Sequence, residues 1–142
     1  MQLEDLYTPR VLALATGIPR LGRLDDPHAA AAMTSRLCGS RISVGLRLEG
    51  GVIGDFAQEI TACALAQASA AVLGGNIIGK TPEEMRAVRG GLAAMLRGSG
   101  EPPGGDWAEL SVFLPVRDYP PRHDSVLLPF DAVCRALEQV DG

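Results

Sequence analysis

The chain has few of the residues that several large function classes require. Aromatic residues occupy 4% of its 142 positions, as one Trp, two Tyr and three Phe, too few for the stacking platforms of single-strand binding. Lys and Arg number 13 against 17 Asp and Glu, a formal net charge of −4 with no basic stripe for a phosphate backbone. No nucleic-acid partner is therefore expected. No apolar run approaches the roughly 20 residues of a membrane helix, so no membrane role is expected either. Cysteine is scarce: three residues, an odd number without paired spacing, which argues against a secreted disulfide framework. Residues 11–18 have the hydropathy of a short signal core, but Glu4 and Asp5 stand where a signal peptide is basic. The expected compartment is the cytoplasm, where thiols are free, metal-bound or reactive.

What remains is a folded composition, 46% apolar and 21% charged, long enough for one core and too short for two. A single domain over residues 1–142 is expected. Thr8-Pro9 reads as a cap and first residue of a helix. Residues 18–32, with two prolines, one glycine and an alanine run, read as a connecting segment. Ile42, Val44, Leu46 and Leu48 alternate with small or polar residues, the period of a half-buried strand. Glu49-Gly50-Gly51 supplies a hairpin turn, and Val52, Phe56 and Ile60 suit one face of the returning strand. Residues 62–73 are alanine-rich and read as a helix closed by Gly74-Gly75. Thr81-Pro82-Glu83-Glu84 is a capping box, followed at helical spacing by Met85, Val88, Leu92 and Met95. Residues 98–106, with four glycines and two prolines, read as a mobile loop. A short amphipathic segment starts near Trp107, and Val126 to Val140 mark a last helix in which Pro129 sits in the first turn or distorts the start. The order predicts an α+β domain: a small antiparallel sheet covered on one face by helices.

Three constellations invite chemistry. The first, Gly74-Gly75-Asn76-Ile77-Ile78-Gly79-Lys80-Thr81, spells a phosphate loop. That motif requires a buried strand entering the loop, so that backbone N–H groups converge on phosphate. Here the preceding segment reads as a helix, and a Gly-Gly terminus followed by a capping box accounts for the same letters. The second is Cys38 and Cys63. Cys38 precedes the best strand, and Cys63 falls near the start of the alanine-rich helix, where the dipole favours thiolate. The hairpin brings both to one end of the sheet. Their spacing leaves two roles open, metal or sulfur chemistry on one side and packing as small hydrophobes on the other. Cys134 falls on the apolar stripe of the last helix and reads as core. The third is His123 and Asp124, which precede Ser125; alone they read as an ordinary acidic helix start with Ser125 as cap.

The letters Tyr7-Thr8-Pro9-Arg10-Val11-Leu12, Pro19-Arg20-Leu21-Gly22-Arg23-Leu24, Cys38-Gly39, Gly51-Val52-Ile53-Gly54-Asp55-Phe56, Cys63-Ala64-Leu65-Ala66-Gln67-Ala68-Ser69-Ala70 and Gly79-Lys80-Thr81-Pro82-Glu83-Glu84 resemble the NifU-like, IscU-like and SufU-like scaffold family. The resemblance runs from about Tyr7 to Leu137. It implies the IscU/SufE-like fold and a scaffold or carrier rather than an enzyme. Such a protein receives sulfur from a cysteine desulfurase, binds iron or zinc, holds a transient iron–sulfur cluster and passes it to apo iron–sulfur proteins. Cys38 and Cys63 match the family's first two ligand cysteines. The family's aspartate is Ser40 here, and its third cysteine is Ser125, with Asp124 and His123 as substitute metal ligands. A serine hydroxyl is a poor ligand beside thiolate or carboxylate. A homodimer pooling two cysteines per chain would restore four thiolates for a [2Fe–2S] cluster. Two other readings compete. Cys38-Gly39-Ser40 resembles the loop of SufE-type persulfide acceptors, which need neither Cys63 nor the aspartate. A degenerate member would instead regulate or dock without a cluster.

Overall fold

In a computed structural model of the chain, residues 3–35, 39–98 and 100–140 are described. Helix α1 (Pro9–Thr16) is followed by strands β1 (Ala29–Thr34), β2 (Arg41–Glu49) and β3 (Val52–Thr61), then by helices α2 (Ala64–Asn76), α3 (Pro82–Leu96) and α4 (His123–Leu137). A 3₁₀-helical stretch, Gly105–Asp118, joins α3 to α4. The strands form one antiparallel sheet in the order β1-β2-β3. Ile42, Val44 and Leu46 of β2 point into the core, whereas Ser43 and Gly45 between them lie on the other face. Helix α4 packs under β1 and β2, α2 packs under β3, and α3 closes the layer against α4. The expected α+β architecture, one sheet with helices on one face, is the observed one.

The hairpin between β2 and β3 turns on Gly50 and Gly51, with φ of 61° and 85°. Two consecutive left-handed residues make a type I′ turn, whose twist matches that of the strands. The register slips between Arg47 and Leu48, so that Arg47 faces Asp55 but Leu48 faces Ile53. This bulge moves Val52 off the core face and puts Ile53 onto it, fully buried beside Phe56.

Three expectations are corrected. Residues 18–32 are not all connection, because Ala29–Thr34 form β1. Alanine has little strand preference of its own; these residues are a strand because the edge of β2 is there to pair with. The segment before β1 crosses the open face of the sheet. Leu21 bridges to Gln58 at the outer edge of β3, and Pro27 lies 3.4 Å from where a Cβ on Gly45 would stand. Helix α2 does not close at Leu73 but runs through Gly74 and Gly75. At Gly74 a Cβ would lie 2.7 Å from Gln58 Nε2 and 3.0 Å from the Pro19 ring, so the glycine permits close packing rather than ending the helix. Finally, α4 starts at His123 with Arg122 as its cap residue. Ser125 is therefore inside the first turn, and Pro129 is in the helix interior.

Candidate functional site

Cys63 occupies the N-cap of α2, in extended conformation (φ −66°, ψ 164°), with its side chain making no cap hydrogen bond. The alanine-rich sequence that follows forms the helix, and Gln67 N–H donates to the Cys63 carbonyl at 3.0 Å. The Cys63 N–H itself donates to Ser40 Oγ at 3.2 Å. Ser40 is fully buried, whereas Cys63 is half-buried at the margin of the core. The carbonyl of Ser40 accepts from Ser35 N–H at 2.7 Å, which closes the connection from β1 to β2. Gly39, with φ of 65°, takes the left-handed conformation that this closure needs. Cys38 lies outside the described residues. The Cys63 sulfur is thus presented at a helix start, with its backbone tied to Ser40.

The other named residues stand on α4. Ser69 Oγ of α2 donates to the Val126 carbonyl at 2.5 Å, which fixes the start of α4 against the middle of α2. Six residues along a helix is about 9 Å, the offset between that tie and Cys63. Ser125 is buried and faces away from solvent, and Asp124 beside it is exposed. His123 Nε2 lies 2.9 Å from the Val116 carbonyl and 3.2 Å from that of Arg117. Carbonyls only accept, so Nε2 carries the proton and Nδ1 is the nitrogen left for a ligand. Among the described residues no three His, Cys, Asp or Glu side chains form a group able to hold a metal ion.

Cys134 departs from a purely core position. It is half-buried between α3 and α4, with Sγ 4.0 Å from the Met85 carbonyl. A recess beside it is lined by Arg86, Arg89, Asp131 and Glu138, and Arg89 Nε donates to Asp131 at 2.7 Å. Burial pushes the Cys134 thiol above its ordinary pKa, and Asp131 adds to the effect. A thiol held protonated in this way is a weak nucleophile and ligand.

The phosphate-loop letters do not make a phosphate loop. A helix, not a strand, enters them, and their backbone pairs with the sheet: Gly79 N–H donates to Ile53 O at 2.8 Å and Ile53 N–H to Lys80 O at 2.9 Å. Lys80 Nζ is held by Asp106 at 2.8 Å and lies 6.0 Å from the Trp107 ring centre. That pairing holds the Asp106 carboxyl below its usual range. Thr81 Oγ1 accepts from Glu84 N–H at 3.1 Å, the expected cap of α3.

One side chain without a role in the sequence, Gln58, and one with a different role there, Ser40, are placed structurally. Gln58, fully buried, donates from Nε2 to the carbonyls of Pro19 and Ala70, both at 3.1 Å, joining the crossing segment, β3 and α2. Ser40 reads in the sequence as a lost ligand; the structure shows it accepting from the Cys63 backbone. A hydroxyl residue at a strand end, paired with a cysteine at a helix start, was the available signal.

Comparison with known proteins agrees with the fold. The chain is 45% identical to a nitrogen-fixing NifU-like protein (N-terminal) from Brucella abortus, covering 98% of this chain and 96% of that one with a TM-score of 0.94. It is 25% identical to a protein of Fervidobacterium islandicum described as an iron–sulfur cluster assembly scaffold for the SUF system, covering 96% and 99% with a TM-score of 0.87. Over 140 residues, 99% of this chain and 98% of the relative, it is 26% identical to the iron–sulfur cluster assembly scaffold protein IscU of Thermotoga maritima. The model of the NifU-like N terminal domain matches residues 6–123, and the chain belongs to that family.

Proposed function

We propose that this protein is an iron–sulfur cluster assembly scaffold or carrier that accepts sulfur from a cysteine desulfurase and binds iron through Cys38 and Cys63. The observation that supports it is the placement of Cys63: a half-buried sulfur without a cap bond at the start of α2, its N–H on Ser40, two residues along the chain from Cys38. Cluster and iron are cargo here, passed on to apo iron–sulfur proteins, and the protein itself need not be an enzyme. Ser40 and Ser125 are both buried and neither is a strong ligand. Asp124, exposed, and His123, through Nδ1, are the supplementary donors. Two strong ligands per chain favour a homodimer that supplies four thiolates to a [2Fe–2S] cluster, with zinc as an alternative occupant. We place this work in the cytoplasm, within one domain spanning 1–142; no described helix is long and apolar enough to cross a membrane.

A second reading draws on Ser40 and Ser125, buried hydroxyl residues that add no strong ligand to the two cysteines. A persulfide acceptor needs one cysteine. The Cys38 thiolate would attack the terminal sulfur of the desulfurase persulfide, forming Cys38–S–SH and releasing the desulfurase cysteine as thiolate. Anaerobic reconstitution with ferrous iron and a desulfurase, read by visible absorbance and by iron and sulfide content, separates the two. A cluster lost in both Cys38→Ser and Cys63→Ser supports the scaffold. No cluster in the wild type, with persulfide on Cys38 that persists in Cys63→Ser, supports the acceptor. A Cys38→Ser variant indistinguishable from wild type in both assays would sink both and leave a regulatory member.

A further inference from the structure

β1 is an edge strand, and its outer edge is divided. Ser35 N–H donates to Ser40 O in the same register that pairs Met33 with Ile42 and Ala31 with Val44. In an antiparallel ladder, bonded and non-bonded pairs alternate. The odd residues of β1 therefore bond to β2, and the backbone groups of Ala30, Ala32 and Thr34 face outward. At Ala30 both groups are taken by one side chain. Gln139 Oε1 accepts from Ala30 N–H at 3.2 Å, and Gln139 Nε2 donates to the Ala30 carbonyl at 2.6 Å. The carboxamide thus imitates one residue of a neighbouring strand. At Ala32 and Thr34 no described residue does this. Exposed edge groups of this kind are a template for another chain.

The open edge ends where the 35–40 connection begins. On the open face beside it, Ala30, Ala32, Ser43 and Gly45 form the floor of a cavity of about 450 Å³, with Leu24 and Pro27 of the crossing segment among its walls. A residue added opposite Ala32 would put its side chain on that same face.

We propose that Ala32 and Thr34 of β1 receive an extended segment of the sulfur donor by strand addition, an apolar side chain of that segment entering the cavity beside Ala32. This rests on the desulfurase reading above. Main-chain bonds supply affinity in this mode and the pocket supplies selectivity. The site favours a donor over a second copy of this chain. A segment running along Ala32 and Thr34 continues past Ser35 to the end of the sheet where Ser40 meets Cys63. A second copy pairing antiparallel through the same two residues would send its own 35–40 connection the opposite way.

The test is titration of the protein with a cysteine desulfurase, followed by calorimetry and by backbone amide exchange. Ala32→Pro removes an outward N–H while leaving the β1–β2 ladder intact, a position where proline is tolerated; Thr34→Ala keeps the backbone. The expected result is protection of the Ala32 and Thr34 amides in the complex. Binding should weaken at least about tenfold in Ala32→Pro, the scale of one lost bond plus a steric block, and stay unchanged in Thr34→Ala. A complex in which both amides exchange as in the free protein overturns the docking mode and leaves the desulfurase reading standing. No complex at all overturns both. A concentration-dependent dimer of the free protein that Ala32→Pro abolishes would assign the edge to a second copy instead.

Discussion

The two ends of the sheet are built on different principles. At one end, β2 returns as β3 through Gly50 and Gly51, two residues whose positive φ angles specify the turn with little help from the rest of the molecule. At the other, the 35–40 connection is closed by Ser35 to Ser40 and anchored by Ser40 to Cys63, the residue that starts α2. The first end is local in sequence and has no chemistry. The second joins residues 23 positions apart and presents a sulfur. A site made of distant parts takes its geometry from the fold, so damage to it shows in reactivity before it shows in stability.

Truncation in the shared core should have the largest effect, because it serves both ends. Leu46 faces Phe56 across β2 and β3, and both are buried. Leu46→Ala should cost about 2–5 kcal/mol, the range for a buried Leu→Ala cavity, read as a lower denaturant midpoint. If only the turn end or only the cysteine end loosened, seen by amide exchange, the two ends would not share one core.

The turn end comes next. Gly50→Val places a β-branched residue at φ 61°, which costs about 1–2 kcal/mol, while alkylation of Cys63 should proceed at the wild-type rate. A changed alkylation rate would mean that the two ends are coupled along the strands.

How much of this was legible follows the same division. The alternation in β2, the Gly50-Gly51 turn and the Thr81 capping box are local signals, and each is where the residues predicted it. Cys63 at a helix start was legible too, because ten residues after it contain no breaker. The run at 29–32 was not, since alanine is a strand there only by borrowing the edge of β2. Nor was the passage of α2 through Gly74, which depends on Gln58 and Pro19 approaching from other elements. At the site, the contact of Ser40 with the Cys63 backbone had no local signature. The hydroxyl residue's value lies in a partner 23 positions away.

Ser40→Ala probes that contact. Losing the acceptor for the Cys63 N–H resembles losing a helix cap, about 1 kcal/mol, a smaller stability change than at the turn. Its effect on Cys63 should be the larger of the two: altered alkylation kinetics, and lower sulfide retention after reconstitution. Equal changes in both properties for Gly50→Val and Ser40→Ala would dissolve the distinction between the ends.

The smallest effect should come from a change that looks severe on geometry alone. A Cβ at Gly54, in the bulge near the turn, would stand 2.7 Å from the Glu49 carboxylate. That carboxylate is the far end of a flexible, exposed side chain, and Gly54 does not need a positive φ. Gly54→Ala should therefore cost only a few tenths of a kcal/mol, because Glu49 can swing into solvent and alanine narrows the unfolded ensemble in partial compensation. The comparison with Gly50→Val isolates the cause. Both substitutions fill space at the same end of the sheet, and only one forces the backbone. If Gly54→Ala proved as costly as Gly50→Val, the bulge rather than the left-handed turn would be what sets the register of β3, and the placement of Ile53 in the core would depend on it.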